Sequence, residues 1–313
     1  MLAAGRRPPL RCLRTMALCP CPSFARLRLA LATFVAATLP LCALAETFYG
    51  ADVRFAYDDN LPLAAAPADR LGDSFLTAGG HAGRFVVLAN DDTVSVQAGA
   101  HAAAFLRYPL LDAVSIEAAA SYRRKFGVGL TVPWIALRVD VSRDDYRDDI
   151  RDSDRAEIAI VAGARMSESF DVSAGVIHDR RLAHHAAPVV PGISGAIYDG
   201  AGDSVFIRAG YAATPRLLFD AALGIRRGDV VATTPEGMAI FVASTAIAED
   251  PAFGPDRYGY RVRGTTTSAS IALSYAIDDR QAVNVAYAFA STSAAAGLDY
   301  RNNVLSASWV WRY

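Results

Sequence analysis

The sequence predicts an all-β chain: a closed antiparallel transmembrane β-barrel of about 12 strands (10 to 14), preceded by a cleaved leader. Three observations predict it. Segments of about ten residues, alternating apolar and polar, recur from residue 47 onward, which is the length and period of strands crossing a bilayer at a tilt. No apolar segment long enough for a spanning helix follows residue 45. The sequence ends LSASWVWRY, where Leu305, Ala307, Trp309, Trp311 and Tyr313 share one strand face, a row of apolar side chains unsuited to water.

The leader comes first. Arg6, Arg7, Arg11, Arg14, Arg26 and Arg28 precede any acidic residue, an apolar stretch covers residues 29–45, and Ala43-Leu44-Ala45 before Glu46 has the small-x-small form of a cleavage site. Residues 1–45 are therefore expected to be a signal peptide cut after Ala45, with Met16 as an alternative start to Met1. As a membrane anchor the stretch is short of roughly 20 residues and is interrupted by Pro40. All four cysteines, Cys12, Cys19, Cys21 and Cys42, leave with it, so residues 46–313 need no disulfide framework. So do six of the 31 basic residues and none of the 32 acidic ones, leaving an acidic balance that argues against nucleic acid as a partner. Nothing in the sequence implies a cofactor.

The strands follow in order. Residues 47–57 set Tyr49, Val53, Phe55 and Tyr57 against Asp52 and Arg54; residues 74–88 make a second strand whose phase is blurred by Gly79, Gly80, His81 and Gly83. In residues 93–105, Val94, Val96 and a run of alanines oppose Gln97 and His101, and in 113–123, Val114, Ile116 and Tyr122 oppose Glu117 and Arg123. Ile135, Leu137 and Val139 oppose Arg138 and Asp140; Ile158 and Ile160 oppose Glu157 and Arg165. Residues 170–177 and 204–212 carry Val172 and Val176, then Val205, Ile207 and Tyr211 with Arg208 behind them; in 218–226, Phe219, Leu223 and Ile225 oppose Asp220 and Arg226. Residues 270–277, 283–290 and 305–313 complete twelve, an even number that lets both chain ends lie on one side of the membrane.

The charged inward set is expected to line the lumen: Asp52, Arg54, Glu117, Arg123, Arg138, Asp140, Glu157, Arg165, Arg208, Asp220 and Arg226, with Arg312 beside the terminus. Its mixed signs allow either a salt-bridge network that fills the interior or a pore whose arginines favour anionic or sugar-like solutes. Small inward residues such as Gly99, Gly163, Gly175 and Gly210 are expected to leave room for water, a solute or an inserted loop.

Connections alternate between tight (near residue 91, 167–169, 214–216, 278–280) and mostly longer ones (58–72, 143–155, 179–203, 227–258, 292–300), giving short turns on one side and long loops on the other. With the aromatic terminus, this organisation resembles the bacterial outer-membrane β-barrel proteins, porin-like in architecture. The resemblance implies a Gram-negative outer membrane with its lipid and lipopolysaccharide, and a last strand (Leu305, Ala307, Trp309, Trp311, Tyr313) read by the barrel assembly machinery. It also implies a porin-like channel or export pore for small or sugar-like solutes. Tyr57-Asp58-Asp59-Asn60 is similar to the opening strand of some proteobacterial barrels tied to exopolysaccharide or surface-protein export.

Two rival readings are a structural barrel that displays its loops and a barrel enzyme (lipase, deacylase or protease). For the latter, His178-Asp179 offers raw material without a nucleophile motif. Three loops stand out. The run RDDYRDDIRDSDR at 143–155 offers ligands to divalent cations and phosphorylated lipopolysaccharide, although such a run is usually a solvated face. The run AIFVASTAIA at 239–248 is too apolar for an exposed loop and is expected to plug the lumen, cover the rim or contact a partner. His184 and His185 would point to opposite faces of a strand, which disfavours a shared metal site.

Overall fold

The computed structural model describes residues 45–88 and 92–313. The expected signal peptide, apart from Ala45, and the tight turn near residue 91 lie outside them, save for Asp92.

Every long strand has two antiparallel partners, because lipid offers no hydrogen bonds to an open edge. The strands are β1 (Ala45–Asp58), β2 (Asp73–Val87), β3 (Thr93–Phe105), β4 (Ala113–Lys125), β5 (Trp134–Tyr146), β6 (Ser153–Arg165) and β7 (Phe170–Ala183), each beside the next. The ring continues through β8 (Gly200–Thr214), β9 (Leu217–Thr234), β11 (Tyr258–Ala276), β12 (Gln281–Ala294) and β13 (Leu298–Arg312), with β9 pairing β11 and β13 returning to β1. The result is a closed barrel of twelve long strands. Between β9 and β11 the chain makes a short helix, α1 (Met238–Ala243), and a four-residue strand, β10 (Ala246–Glu249), which adds to β11 above the end of β12.

The alternation sorts the two faces. Val53, Phe55, Ile116, Leu137, Ile160, Val176, Ile207, Leu223, Ile271 and Val285 are all exposed on the outer wall, where they meet lipid. Tyr49, Tyr211, Tyr275, Trp309 and Tyr313 lie toward the short-turn end, where amphipathic rings match the headgroup level. The seam is closed at both ends. Near the short-turn rim the Tyr49 N–H donates to the Tyr313 carbonyl and the Tyr313 N–H to the Tyr49 carbonyl, each at 2.9 Å. Toward the long loops, Asp59 accepts the Asn303 N–H at 2.7 Å and its Nδ2–H at 2.6 Å, while Asp58 accepts Asn302 Nδ2–H at 3.0 Å. Asn60, fully buried, donates to the carbonyls of Arg301 (2.8 Å) and Ala64 (3.0 Å) and accepts the Ala64 N–H at 2.9 Å. The Asp-Asp-Asn run thus clamps the closing strands and starts the first long loop.

Several expected loops are shorter than the sequence suggested. β5 runs to Tyr146 and β6 begins at Ser153, so most of the charged run 143–155 is strand and only 147–152 is turn. Residues 292–300 shrink to a turn at 295–297, and β9 extends to Thr234, which places Arg227-Gly228-Asp229 within a strand. Above the bilayer a ladder needs no apolar face, so charged sequence continues it without any lipid-facing signature. Conversely, the short-turn side carries an eight-residue connection, 126–133, with exposed Phe126, Val128 and Leu130.

Buried apolar packing collects at the long-loop end of the lumen. Ile240 and Ile247 pack with the inward Ala232, Tyr260, Val262 and Tyr300, joined by Leu63 and Ile193. Ile197 and Tyr198 pack on Ala246 and Ala248, and Phe253 and Ala252 pack on Leu111 with Leu61 and Tyr108. Loops 59–72, 106–112, 147–152, 184–199 and 235–257 therefore meet over the outer mouth. The apolar run 239–248 is a cap whose buried face is fastened into the barrel wall through β10.

Candidate functional site

Beneath this cap the lumen holds a cavity of about 730 Å³, roofed by Leu63, Ile197 and Tyr198 and walled by charged residues of β4 to β9. Strand register stacks those charges in rows. Asp140 pairs with Glu157 and Glu157 with Asp179, which sets three carboxylates side by side across β5, β6 and β7. Two residues toward the short-turn side on the same face, a row runs from Arg138 through Ala159, Ile177 and Ser204 to Arg226. Two residues toward the cap, Ser142, Arg155 and Arg181 form the next row. The period of two puts each charge on the lumen face, and the register alternates their sign along the barrel axis.

The outer carboxylates of the acidic row are each gripped by an arginine. Arg138 donates from Nε to Asp140 Oδ2 at 2.7 Å and from Nη2 to Oδ1 at 2.6 Å. Arg226 reaches across β8 to Asp179, donating from Nε at 2.9 Å and Nη2 at 2.7 Å, over Gly202, where a Cβ would strike the guanidinium. Such forked pairs are directional and nearly neutral as units. Glu157, between them, and Glu117, on β4, also line the cavity. Arg155 pairs with Asp144 at 2.6 Å, and Asp144 accepts Ser115 Oγ–H at 2.6 Å.

Of the residues expected to line the lumen, Glu117, Arg138, Asp140, Glu157 and Arg226 border this cavity. The others sit elsewhere on the inner face. Arg123 stacks over Trp134 at 4.1 Å, Arg165 opposes Asp171, Arg208 lies over Phe206 at 5.8 Å, and Asp220 faces Gly210. Asp52 and Arg54 lie on β1 opposite Gly79 and Thr77, and Arg312 opposite Gly50. Two of the small inward residues have a different use from the one expected, whereas Ala119 borders the cavity. Trp134 covers Gly163 and Phe206 covers Gly175, with would-be Cβ contacts of 2.6 and 2.9 Å, so these glycines receive a neighbour's ring rather than leave open space.

The polar centre of the cap escaped the sequence reading. Arg151, 5% exposed, donates from Nη1 and Nη2 to the two carboxylate oxygens of the fully buried Asp250, at 2.7 and 2.8 Å. Asp250 also accepts Thr233 Oγ1–H at 2.5 Å, and Asp148 accepts Arg151 Nη1–H at 2.9 Å. Tyr198 and Phe253 lie against the guanidinium at 5.1 and 5.4 Å. Burial pushes the Asp148 carboxyl above its ordinary value, against the pull of Arg151, and pushes the Tyr198 hydroxyl up as well. The one sequence signal for Asp250 was its place at the end of an apolar run.

His178 and Asp179 point to opposite faces. His178 Nδ1 shares a 2.8 Å hydrogen bond with Asp203 on the outer wall, while Asp179 holds Arg226 inside. His184 lies 3.3 Å from Asp154, and other acids of the 143–155 run are bonded to arginines of that run. Among the described residues no group of three or more His, Cys, Asp or Glu is placed to hold a metal ion.

No protein-family model matches the sequence, and no curated protein is significantly similar to it. Among solved structures, an outer-membrane channel from Pseudomonas putida F1 is similar with a TM-score of 0.54 at 9% identity, covering 86% of this chain and 96% of that one. The NanC porin is similar at a TM-score of 0.48 and 8% identity, over 83% of this chain and 98% of that one. A KdgM porin in complex with disordered oligogalacturonate follows at 0.43 and 11%, over 84% and 98%. At such identities the likeness is one of fold. With the apolar belt on its outer wall, that fold is a closed, membrane-spanning β-barrel.

Proposed function

We propose that the barrel is a porin-like channel or export pore for small, sugar-like solutes, shut at its outer mouth by the meeting loops, of which 235–257 is the longest, in the conformation described here. The observation that carries this is the cavity of about 730 Å³ directly under the cap, well within the size range of small-molecule sites. Its arginines are largely engaged by carboxylates, so the wall offers paired donors and acceptors with little net field. That lining suits a polyhydroxyl solute better than a strongly anionic one. Outer-membrane lipid and lipopolysaccharide are the proposed surroundings, and the barrel assembly machinery the proposed reader of β13.

Proteoliposome swelling tests the reading. Vesicles carrying protein without residues 239–248 are expected to swell in neutral mono- and disaccharides faster than in singly charged sugar acids of equal size. Swelling no faster than in protein-free vesicles would defeat the proposal. The same forked pairs, Arg138 with Asp140 and Arg226 with Asp179, give the structural-barrel reading its support, since they also brace the wall. The separation of His178 from Asp179 supports a reading without catalysis.

A further inference from the structure

Arg151 is shared between two carboxylates that belong to different parts of the mouth. Asp148 lies three residues before it in the same tight turn, at 2.9 Å, whereas Asp250 comes from the loop that covers the lumen and takes both guanidinium nitrogens. Among the described residues, Asp250 is otherwise hydrogen-bonded to Thr233 Oγ1 and, through its N–H, to the Arg257 carbonyl at 2.9 Å. A buried charge left alone is costly, and a buried forked pair is directional. If the loop lifts, Asp250 leaves for water, and Arg151 still keeps Asp148. No orphan charge remains on either side. Ile240, Ile247 and Phe253, with Ala246, Ala248 and Ala252, also hold the loop by apolar contact, but that contact is non-directional, and the forked pair is the directional tie.

We propose that Arg151 is the latch of a gate: with Asp250 in its grip loop 235–257 closes the outer mouth, and with Asp148 as its sole partner the loop is released. The latch rests on the pore reading above. It also makes the two carboxylates act in opposite directions. Asp250→Asn weakens the closed state, whereas Asp148→Asn makes opening leave Arg151 unpaired and so favours closure.

Single-channel recording tests this, with the protein lacking residues 239–248 as the open reference and heat-modifiable migration confirming each barrel. Asp250→Asn is expected to raise the open probability at least tenfold, and Asp148→Asn to lower it below that of the unaltered protein. A general loosening of the mouth would move both variants the same way, and that result, or no change in either, overturns the latch while the reference still conducts. A reference that never conducts removes the pore reading and the latch with it.

A second variant compares one folded molecule with itself, oxidised and reduced. Thr233→Cys combined with Asp250→Cys joins two side chains already in contact, in a span, residues 46–313, that holds no other cysteine. The oxidised channel should stay shut and the same molecules should open on reduction. Oxidised channels as open as reduced ones would overturn the latch.

Discussion

Asp179 shows how much one residue decides in this lumen. It holds Arg226 by two hydrogen bonds across a glycine, so removing its charge leaves the guanidinium facing the cavity with the Asp229 carbonyl at 3.0 Å but without its paired carboxylate. Asp179→Asn is expected to shift the reversal potential of the cap-deleted channel toward anion selectivity in a salt gradient. An unchanged reversal potential would mean that the pair does not border the conduction path. Asn60 carries structure rather than selectivity. Its buried amide satisfies two carbonyls and one N–H, and Asn60→Ala leaves them unpaired, at a cost of about 1–3 kcal/mol. The variant should lose its heat-modifiable form at a lower temperature than the unaltered protein; the same transition temperature would show that water replaces the amide. The sequence drew notice to Asp58, Asp59 and Asn60 only as a resemblance, because their partners, Asn302, Asn303 and Arg301, lie at the far end of the chain.

At the scale of elements, the closing seam is the most exposed to error, since β1 and β13 must find each other last in sequence. Removing Tyr313 deletes both hydrogen bonds to Tyr49 and the ring that stacks on Trp311 at 6.1 Å and under Arg280 at 5.0 Å. The truncated protein is expected to reach the outer membrane in reduced amount, with the assembled remainder conducting normally. Full heat-modifiable assembly would contradict that role. The belt strands were legible because lipid on one side and lumen on the other impose alternation, as with Ile158 and Ile160 against Glu157. Strand extensions above the belt, such as Arg143 and Asp144 opposite Asp154 and Ser153, were not, because both faces there meet water or protein. The aromatic-over-glycine pairs, Trp134 on Gly163 and Phe206 on Gly175, depend on register, which periodicity alone leaves open.

For the molecule as a whole, a closed wall, a charge-compensated lumen and a capped mouth follow from different physics. The wall follows from the absence of hydrogen-bonding partners in lipid, the lumen from alternation of sign from one register row to the next, and the cap from apolar loop residues that water would not accept. Cap contacts join residues as distant as Arg151 and Asp250, so the outer site became visible only in three dimensions, although the apolar run 239–248 announced that something must cover it. On the proposed reading the barrel is a channel whose outer mouth is closed by its loops, 235–257 the longest of them. Planar-bilayer conductance of the unaltered protein beside the protein lacking residues 239–248 tests it most directly. Rare, brief openings are expected in the first and sustained steps of uniform size in the second, while a correctly folded, cap-deleted barrel that passes no current would rule out a channel.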